Sequence, residues 1–244
     1  MKLTEQVYVV GGGDLGYRIS SPFDCNVFLL DGGGEYVMID AGSGINPGTI
    51  EANLIADGIP PEKIRALILT HAHADHAGGA AYWKERCGAA ILAGALTSDI
   101  LASGDEERIS LPDARKAGVY PPEYRFEACT IDRVLKEGDL IPVGSLSLQI
   151  MAAPGHSADM MAFYCPELQA LFGGDAVFEG GKLAVLTTYD FSLEEYRRTI
   201  ADMAKLSVGQ LFPGHGPAVL QEAQESVQLA QRRFERGEPP ISIV

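Results

Sequence analysis

The feature that most constrains this chain is a cluster of histidines directly after a predicted buried strand. Three of its five histidines fall within residues 70–76, which read THAHADH. The preceding run RALILT is largely apolar and of strand length, and the following residues have helical character. Because residues i and i+2 of an extended segment point to the same side, His71 and His73 can bind one metal ion. Asp75 and His76, at the turn into the helix, can serve a second ion.

The remaining metal-ligating side chains also follow predicted strands. His156 comes after the strand SLSLQIMAA, His215 after VGQLF, and Asp175 ends the segment ALFGGD. Loops at strand ends converge over a sheet edge, and small neighbours let the backbone approach a site. A lone histidine in such a place is more often a surface or packing residue, but five histidines with two carboxylates favour a joint metal site.

The distribution of strand and helix signals predicts one domain, residues 1–244, with two halves of similar plan. Strands are predicted at Gln6–Val10, Phe23–Leu30 and Glu35–Asp40, which begin an antiparallel sheet. A helix from Pro47, the strand Arg65–Thr70, a helix over Gly78–Arg86 and the strand Ala89–Ala93 then alternate. Residues 97–130 interrupt this rhythm with an irregular insert that is either a functional loop or lid or a solvated excursion.

The second half repeats the pattern. From Val134 the signals indicate antiparallel hairpins punctuated by glycine. Ser192 begins an S-x-x-E capping box, a helical stripe follows it, and Val208–Phe212 is predicted as a strand. A last helix is predicted from Pro217 to Arg236, ending at Gly237.

Charge and composition argue against several classes of partner. Lys and Arg number 19 against 33 Asp and Glu, giving a net charge of −14, which repels phosphate backbones and argues against nucleic acid. No apolar stretch suits a signal peptide or a membrane span, and the four cysteines form no C-x-x-C pair. We expect a cytoplasmic protein with a small-molecule substrate, no membrane partner, and Cys25, Cys87, Cys129 and Cys165 as reduced thiols. The sequence leaves a homo-oligomer open.

These motifs, in this order and spacing, resemble those of the metallo-β-lactamase-fold hydrolases, closest to the hydroxyacylglutathione hydrolase (glyoxalase II)-like branch. The resemblance covers nearly the whole chain and implies an α/β fold, an αββα sandwich of two mixed sheets flanked by helices. It implies that metal 1 is held by His71, His73 and His156, metal 2 by Asp75, His76 and His215, and that Asp175 bridges them. Asp40 would then be the carboxylate that steadies the histidine loop.

The activity implied by this resemblance is hydrolysis of a small ester, thioester or lactone by a hydroxide that bridges two divalent ions. Zinc is the first expectation, and Fe²⁺ or Mn²⁺ also suits these ligands. Asp75 is in addition a candidate catalytic residue that directs the hydroxide. Phe178, Tyr189 and Phe191 are candidates for lining a substrate pocket that favours an apolar acyl group.

Alternative functions share parts of the pattern. A persulfide dioxygenase would use one iron and would not need His215 as a ligand. Quorum-quenching lactonases place a tyrosine where this chain has Phe178, which cannot donate a hydrogen bond. An RNA-cleaving member of the fold is opposed by the negative charge, and a descendant that only binds ligands is expected to have lost some of the metal ligands.

Overall fold

A computed structural model describes residues 1–244, and these residues form two compact units. The first unit comprises Met1–Leu135 with Val143–Ser145, and the second comprises Lys136–Pro142 with Leu146–Val244. One β-sheet belongs to each unit, and each sheet combines parallel and antiparallel neighbours. The prediction of two mixed sheets accompanied by helices is therefore confirmed.

The sheet of the first unit has six strands, paired in chain order. They are β1 (Val7–Gly11), β2 (Val27–Asp31), β3 (Tyr36–Ile39), β4 (Ile64–Ile68), β5 (Ala90–Gly94) and β6 (Arg133–Leu135). The first three strands pair antiparallel, as predicted, and β3 to β6 pair parallel. The turn between β2 and β3 is closed by the Asp31 carboxylate, which accepts hydrogen bonds from the amides of Gly33 and Gly34 at 2.9 and 2.7 Å.

Helices connect the parallel strands of this unit. They are α1 (Pro47–Ala56), α2 (Ala74–Ala77), α3 (Ala80–Cys87), α4 (Ala95–Ser103) and α5 (Leu111–Lys116). Trp83 of α3 is fully buried, and its indole N–H donates to the carbonyl oxygen of Ala41 at 3.1 Å. This contact ties α3 to the chain that leaves β3, so burial of one large ring also fixes the loop beside the histidine segment.

Two expectations for this unit are wrong. Residues 97–130 are not irregular throughout, because α4 continues directly from β5, a short 3-10 helix spans Glu107–Ile109 and α5 follows it. The longest stretch without helix or strand is residues 117–132. The buried positions Thr97, Ile100 and Leu101 lie three and four residues apart, which is the spacing of one helical face. The strand at Val134 also does not open a hairpin of the second half, because β6 pairs parallel with β5.

The sheet of the second unit has five strands in the order β11-β10-β9-β8-β7. They are β7 (Leu140–Val143), β8 (Leu146–Ala152), β9 (Met161–Cys165), β10 (Ala170–Gly174) and β11 (Gln210–Pro213), with helices α6 (Leu193–Met203) and α7 (Gln224–Glu235). Strands β8, β9 and β10 pair antiparallel, and β11 lies parallel to β10.

The ends of the two helices show how local sequence and packing compete. Ser192 caps α6, and its hydroxyl accepts a hydrogen bond from the amide of Glu195 at 3.3 Å, as the capping box predicts. The last helix, however, begins at Gln224 and not at Pro217. Val219 and Leu211 exchange two backbone hydrogen bonds of 2.8 and 2.9 Å, which hold residue 219 extended against β11.

Two further findings concern membrane-spanning helices and the cysteines. None of the helices combines the length and the apolar character that crossing a bilayer requires. All four cysteines are free thiols; Cys25, Cys129 and Cys165 are buried and Cys87 is partly buried.

Candidate metal centre

The histidine segment of the first unit packs three imidazole rings against one another. The ring centroids of His71 and His73 are 4.6 Å apart, and those of His71 and His76 are 4.1 Å apart. His71 and His76 are fully buried, and His73 is partly exposed. Asp75 joins the group, with a carboxylate oxygen 3.5 Å from the Nε2 atom of His76. Buried, neighbouring imidazoles repel one another when all are protonated, so this group suits neutral rings around a shared cation.

Asp40 holds the histidine segment in place through hydrogen bonds. Its backbone lies in the left-handed region at φ 63°, directly after β3, and its side chain is 2% exposed. The carboxylate accepts hydrogen bonds from the amide of Thr70 at 2.8 Å and from Nδ1 of His76 at 2.8 Å. The amide of Ala41 donates to the carbonyl oxygen of His76 at 2.7 Å, so His76 is held at both its ring and its backbone.

The threonine that precedes the cluster fixes a second imidazole. The hydroxyl oxygen of Thr70 lies 3.0 and 2.9 Å from the two oxygens of Asp40 and 3.0 Å from Nδ1 of His71. An ionised carboxylate only accepts hydrogen bonds, so the single hydroxyl proton points to Asp40. The hydroxyl oxygen then accepts from Nδ1–H of His71. In both His71 and His76 the Nδ1 atom therefore carries the proton, and Nε2 keeps the lone pair that a metal ion binds.

Cys25 lies beside these groups without offering a thiolate. Its sulfur, a carboxylate oxygen of Asp40 and a ring nitrogen of His76 lie within 4.8 Å of one another. Burial raises the pKa of the Cys25 thiol far above its ordinary value, an effect that exceeds the lowering by His76. The thiol therefore stays protonated, and this trio is a packing contact of the ligand loop, since metals bind the thiolate.

In the second unit the carboxylate of Asp175 lies between two histidines. Its Oδ2 atom is 3.5 Å from Nε2 of His156 and 3.4 Å from Nε2 of His215. All three residues are buried. They lie in three separate loops, after β8, β10 and β11. Because these strands belong to one sheet, residues that are far apart in the sequence come close together.

His156 is oriented by the backbone. Its Nδ1 atom donates to the carbonyl oxygen of Ala184 at 3.0 Å, which again leaves Nε2 with the lone pair. The hydroxyl of Tyr196 connects Ala184 to Asp175. It accepts a hydrogen bond from the amide of Ala184 at 3.2 Å and donates one to the backbone carbonyl oxygen of Asp175 at 2.5 Å. Gly155 has φ 142°, and a Cβ there would lie 2.4 Å from the backbone of Tyr196, so only glycine fits.

The three predicted pocket residues lie in different settings. The ring of Phe178 is buried and stacks near His215, with centroids 6.4 Å apart and an interplanar angle of 28°. Phe191 is half-buried and packs edge-on against Tyr196, with centroids 6.1 Å apart. Tyr189 is 69% exposed. Phe178 is therefore buried beside a predicted ligand.

The spacing of the donor atoms fits divalent metal ions. Bonds of about 2.0–2.2 Å at tetrahedral angles separate neighbouring ligand atoms by roughly 3.3–3.6 Å. The pair Asp75–His76 in the first unit is separated by 3.5 Å, and Asp175 lies at 3.5 and 3.4 Å from its two histidines in the second. Imidazole nitrogen with carboxylate oxygen is a donor set that zinc, iron and manganese accept.

Sequence reasoning did not assign the residues that orient the ligands, apart from Asp40. Thr70 stood in the motif without a role, although a hydroxyl next to the first histidine is a chemical signal for such support. Ala184 acts through its carbonyl oxygen, which no side-chain pattern reveals. Tyr196 lies on the apolar stripe predicted after the capping box, and the role of its hydroxyl depends on tertiary contacts with Ala184 and Asp175.

Comparison with known proteins places these observations in a family. Residues 20–215 match the model of the metallo-beta-lactamase superfamily. An atrochrysone carboxyl ACP thioesterase of Aspergillus fumigatus is 28% identical over 88% of this chain, which spans 58% of that protein's length. The acyl-coenzyme A thioesterase MBLAC2 of Gallus gallus is 30% identical over 78% of this chain and 72% of the relative.

A hydroxyacylglutathione hydrolase of Psychromonas ingrahamii is 33% identical over 59% of this chain and 43% of its own length. Among solved structures, a metallo-β-lactamase of Cronobacter sakazakii with an HARLDQ motif superposes with a TM-score of 0.74 at 19% identity, covering 97% of this chain and 96% of that one. A likeness at that identity establishes the fold.

Proposed function

Because the chain belongs to the metallo-β-lactamase superfamily, we propose that it is a metal-dependent hydrolase of small thioesters or esters. The observation that carries this proposal is the orientation of the buried histidines: His71, His76 and His156 each have Nδ1 engaged as a donor, so Nε2 is left to bind metal. Such outer hydrogen bonds fix the ring and raise the basicity of a ligating imidazole. The names of the thioesterase relatives support thioesters as the substrate class.

The proposed centre would hold two divalent ions. His71, His73 and His156 would bind one, Asp75, His76 and His215 would bind the other, and Asp175 would be a ligand to both. Bound there, such ions polarise the acyl carbonyl group and lower the pKa of a water molecule. Zinc is the metal we propose, and the cytoplasm is the proposed location.

The protein's own residues then have separate tasks. Asp75 has a side chain that is 20% exposed, so its carboxylate can accept a hydrogen bond from the attacking water and direct it. Asp40 and the carbonyl oxygen of Ala184 keep the imidazoles in place during turnover. Phe178, stacked near His215, offers an apolar surface that excludes water and accommodates an acyl chain.

The proposal is tested by metal analysis and a thioester assay on the same preparation. We expect about two divalent ions per chain and release of free thiol from a series of acyl-coenzyme A esters. Asp175→Asn should lose bound metal and most of the activity. Asp202→Asn, which changes a carboxylate that is 60% exposed on α6, is the matched control and should retain both.

Other outcomes would overturn the proposal. One iron per chain with oxygen consumption on a persulfide substrate would indicate the dioxygenase class. A folded protein that takes up no metal from a zinc, iron or manganese solution would indicate a binding protein. Hydrolysis that is unchanged in Asp175→Asn would contradict the assigned ligand set.

A further inference from the structure

An aromatic stack next to the histidine segment brings a tyrosine from the irregular part of the first unit to the ligand loop. The ring of Tyr120 lies between Phe23 and Tyr124, with centroid distances of 5.7 and 5.1 Å and interplanar angles of 29° and 21°. The two stacked neighbours restrain the ring of Tyr120 and so fix the position of its hydroxyl oxygen. The phenol is therefore positioned before any ligand arrives.

The two tyrosines of this stack differ in what their hydroxyls do. The Tyr124 hydroxyl is buried and donates to the carbonyl oxygen of Ser43 at 2.7 Å. It also packs tightly against Gly78, where an added Cβ would lie 2.4 Å from it. The Tyr120 hydroxyl forms no hydrogen bond with any group of the protein, and the residue is partly exposed. Tyr124 thus has a structural bond, while Tyr120 keeps a donor for an external partner.

The stack that holds Tyr120 lies against the ligand loop. The Tyr124 hydroxyl is 3.5 Å from the carbonyl oxygen of Ala74, and the amide of Cys25, two residues after Phe23, donates to the carbonyl oxygen of Asp75 at 3.2 Å. Burial raises the pKa of the Tyr120 phenol well above its ordinary value, and the negative charge of Asp75, one of the predicted metal ligands of the same unit, raises it further. The phenol is therefore a neutral hydrogen-bond donor.

Resting on the hydrolase function proposed above, we propose that Tyr120 is a further catalytic residue, which donates a hydrogen bond from its hydroxyl to the carbonyl oxygen of the substrate's acyl group. Negative charge develops on that oxygen when water attacks, and a preorganised donor stabilises it more strongly than a mobile one. The phenyl ring of Phe178 cannot supply such a bond, whereas the phenol of Tyr120 can. The hydrogen bond forms and breaks with the substrate, and the hydroxyl keeps its proton.

The variant Tyr120→Phe distinguishes a catalytic role of the hydroxyl from a role of the ring in packing alone. The variant keeps the ring and both stacking contacts and removes only the oxygen. We expect kcat/KM for an acyl-coenzyme A substrate to fall by about 10- to 100-fold, while metal content and melting temperature stay at the wild-type values. A second readout needs no turnover. An uncleavable analogue, in which a methylene group replaces the thioester sulfur, should bind the zinc-loaded variant about 10-fold more weakly in calorimetry.

Tyr124→Phe is the control from the same stack. It loses the bond to Ser43, so it should melt at a lower temperature and keep kcat/KM within about threefold of wild type. If wild type hydrolyses thioesters and Tyr120→Phe matches it in rate and in analogue binding, the assignment of Tyr120 is wrong and the proposed function stands. If metal-loaded wild type hydrolyses no thioester or ester, the proposed function fails, and the role of Tyr120 fails with it.

Discussion

Replacement of Asp40 by asparagine tests the link between the hydrogen bonds behind the histidine segment and metal affinity. Asp40 adopts φ 63°, a conformation that asparagine tolerates as well as aspartate, so the change leaves the backbone unstrained. One carboxylate oxygen accepts from the amide of Thr70 at 2.8 Å and the other from Nδ1 of His76 at 2.8 Å. Asparagine has only one oxygen, so one of these two donors must face an NH₂ group.

The size of the effect follows from those contacts. If the amide oxygen stays with Thr70, the NH₂ group opposes Nδ1–H of His76, and a hydrogen bond to a charged group worth about 1.5–3 kcal/mol is lost. Alternatively, His76 moves its proton to Nε2, which restores the bond but removes the lone pair needed for metal. In both cases zinc affinity should fall about 10- to 100-fold, which corresponds to roughly 1.4–2.7 kcal/mol.

The assay is a competition titration of zinc against a chelator, with urea unfolding of the metal-free protein as a measure of stability. Asp31→Asn is the matched control, because a single oxygen of Asp31 accepts both turn amides and asparagine retains that oxygen. A folded Asp40→Asn protein that binds zinc within threefold of wild type would refute the reasoning about His76.

Three further predictions rest on separate contacts. Tyr196→Phe removes the hydroxyl between Ala184 and Asp175, and the free energy of unfolding in urea should fall by about 1–3 kcal/mol; wild-type stability would show that these groups find other partners. The hydrogen bond from Arg115 lowers the pKa of Glu106 below 4.5 in the folded protein. The stabilisation by this ion pair is therefore present above pH 4.5 and is lost as the pH falls through the pKa that Glu106 has in the folded protein. The difference in melting temperature between wild type and Glu106→Gln should accordingly shrink between pH 7 and pH 3, and a constant difference would contradict this sign. Removing bound metal with a chelator should lower the melting temperature, and zinc at 100 times its Kd should restore about 2.7 kcal/mol of stability; an unchanged melting temperature would indicate that no metal was bound.

The positions of most strands and the candidate metal donors could be predicted because both depend on local pattern. Apolar runs such as β4 and the histidine-rich segment after it identify a strand and a loop without reference to the rest of the chain. The start of the last helix could not be predicted in this way. Residues 217–223 carry a helical pattern, but Val219 gains two backbone hydrogen bonds to β11, and this tertiary pairing outweighs local preference.

The sequence by itself determined which atoms are available to a metal ion and in which loops they lie, because residue type and spacing fix the donor chemistry. Only the tertiary structure decided which ring nitrogen of His71, His76 and His156 carries the proton, since that depends on contacts with Thr70, Asp40 and the carbonyl oxygen of Ala184, which folding brings to the rings. The same holds for the two stacked tyrosines, Tyr120 and Tyr124: they are chemically identical and four residues apart, and their partners in space alone distinguish them.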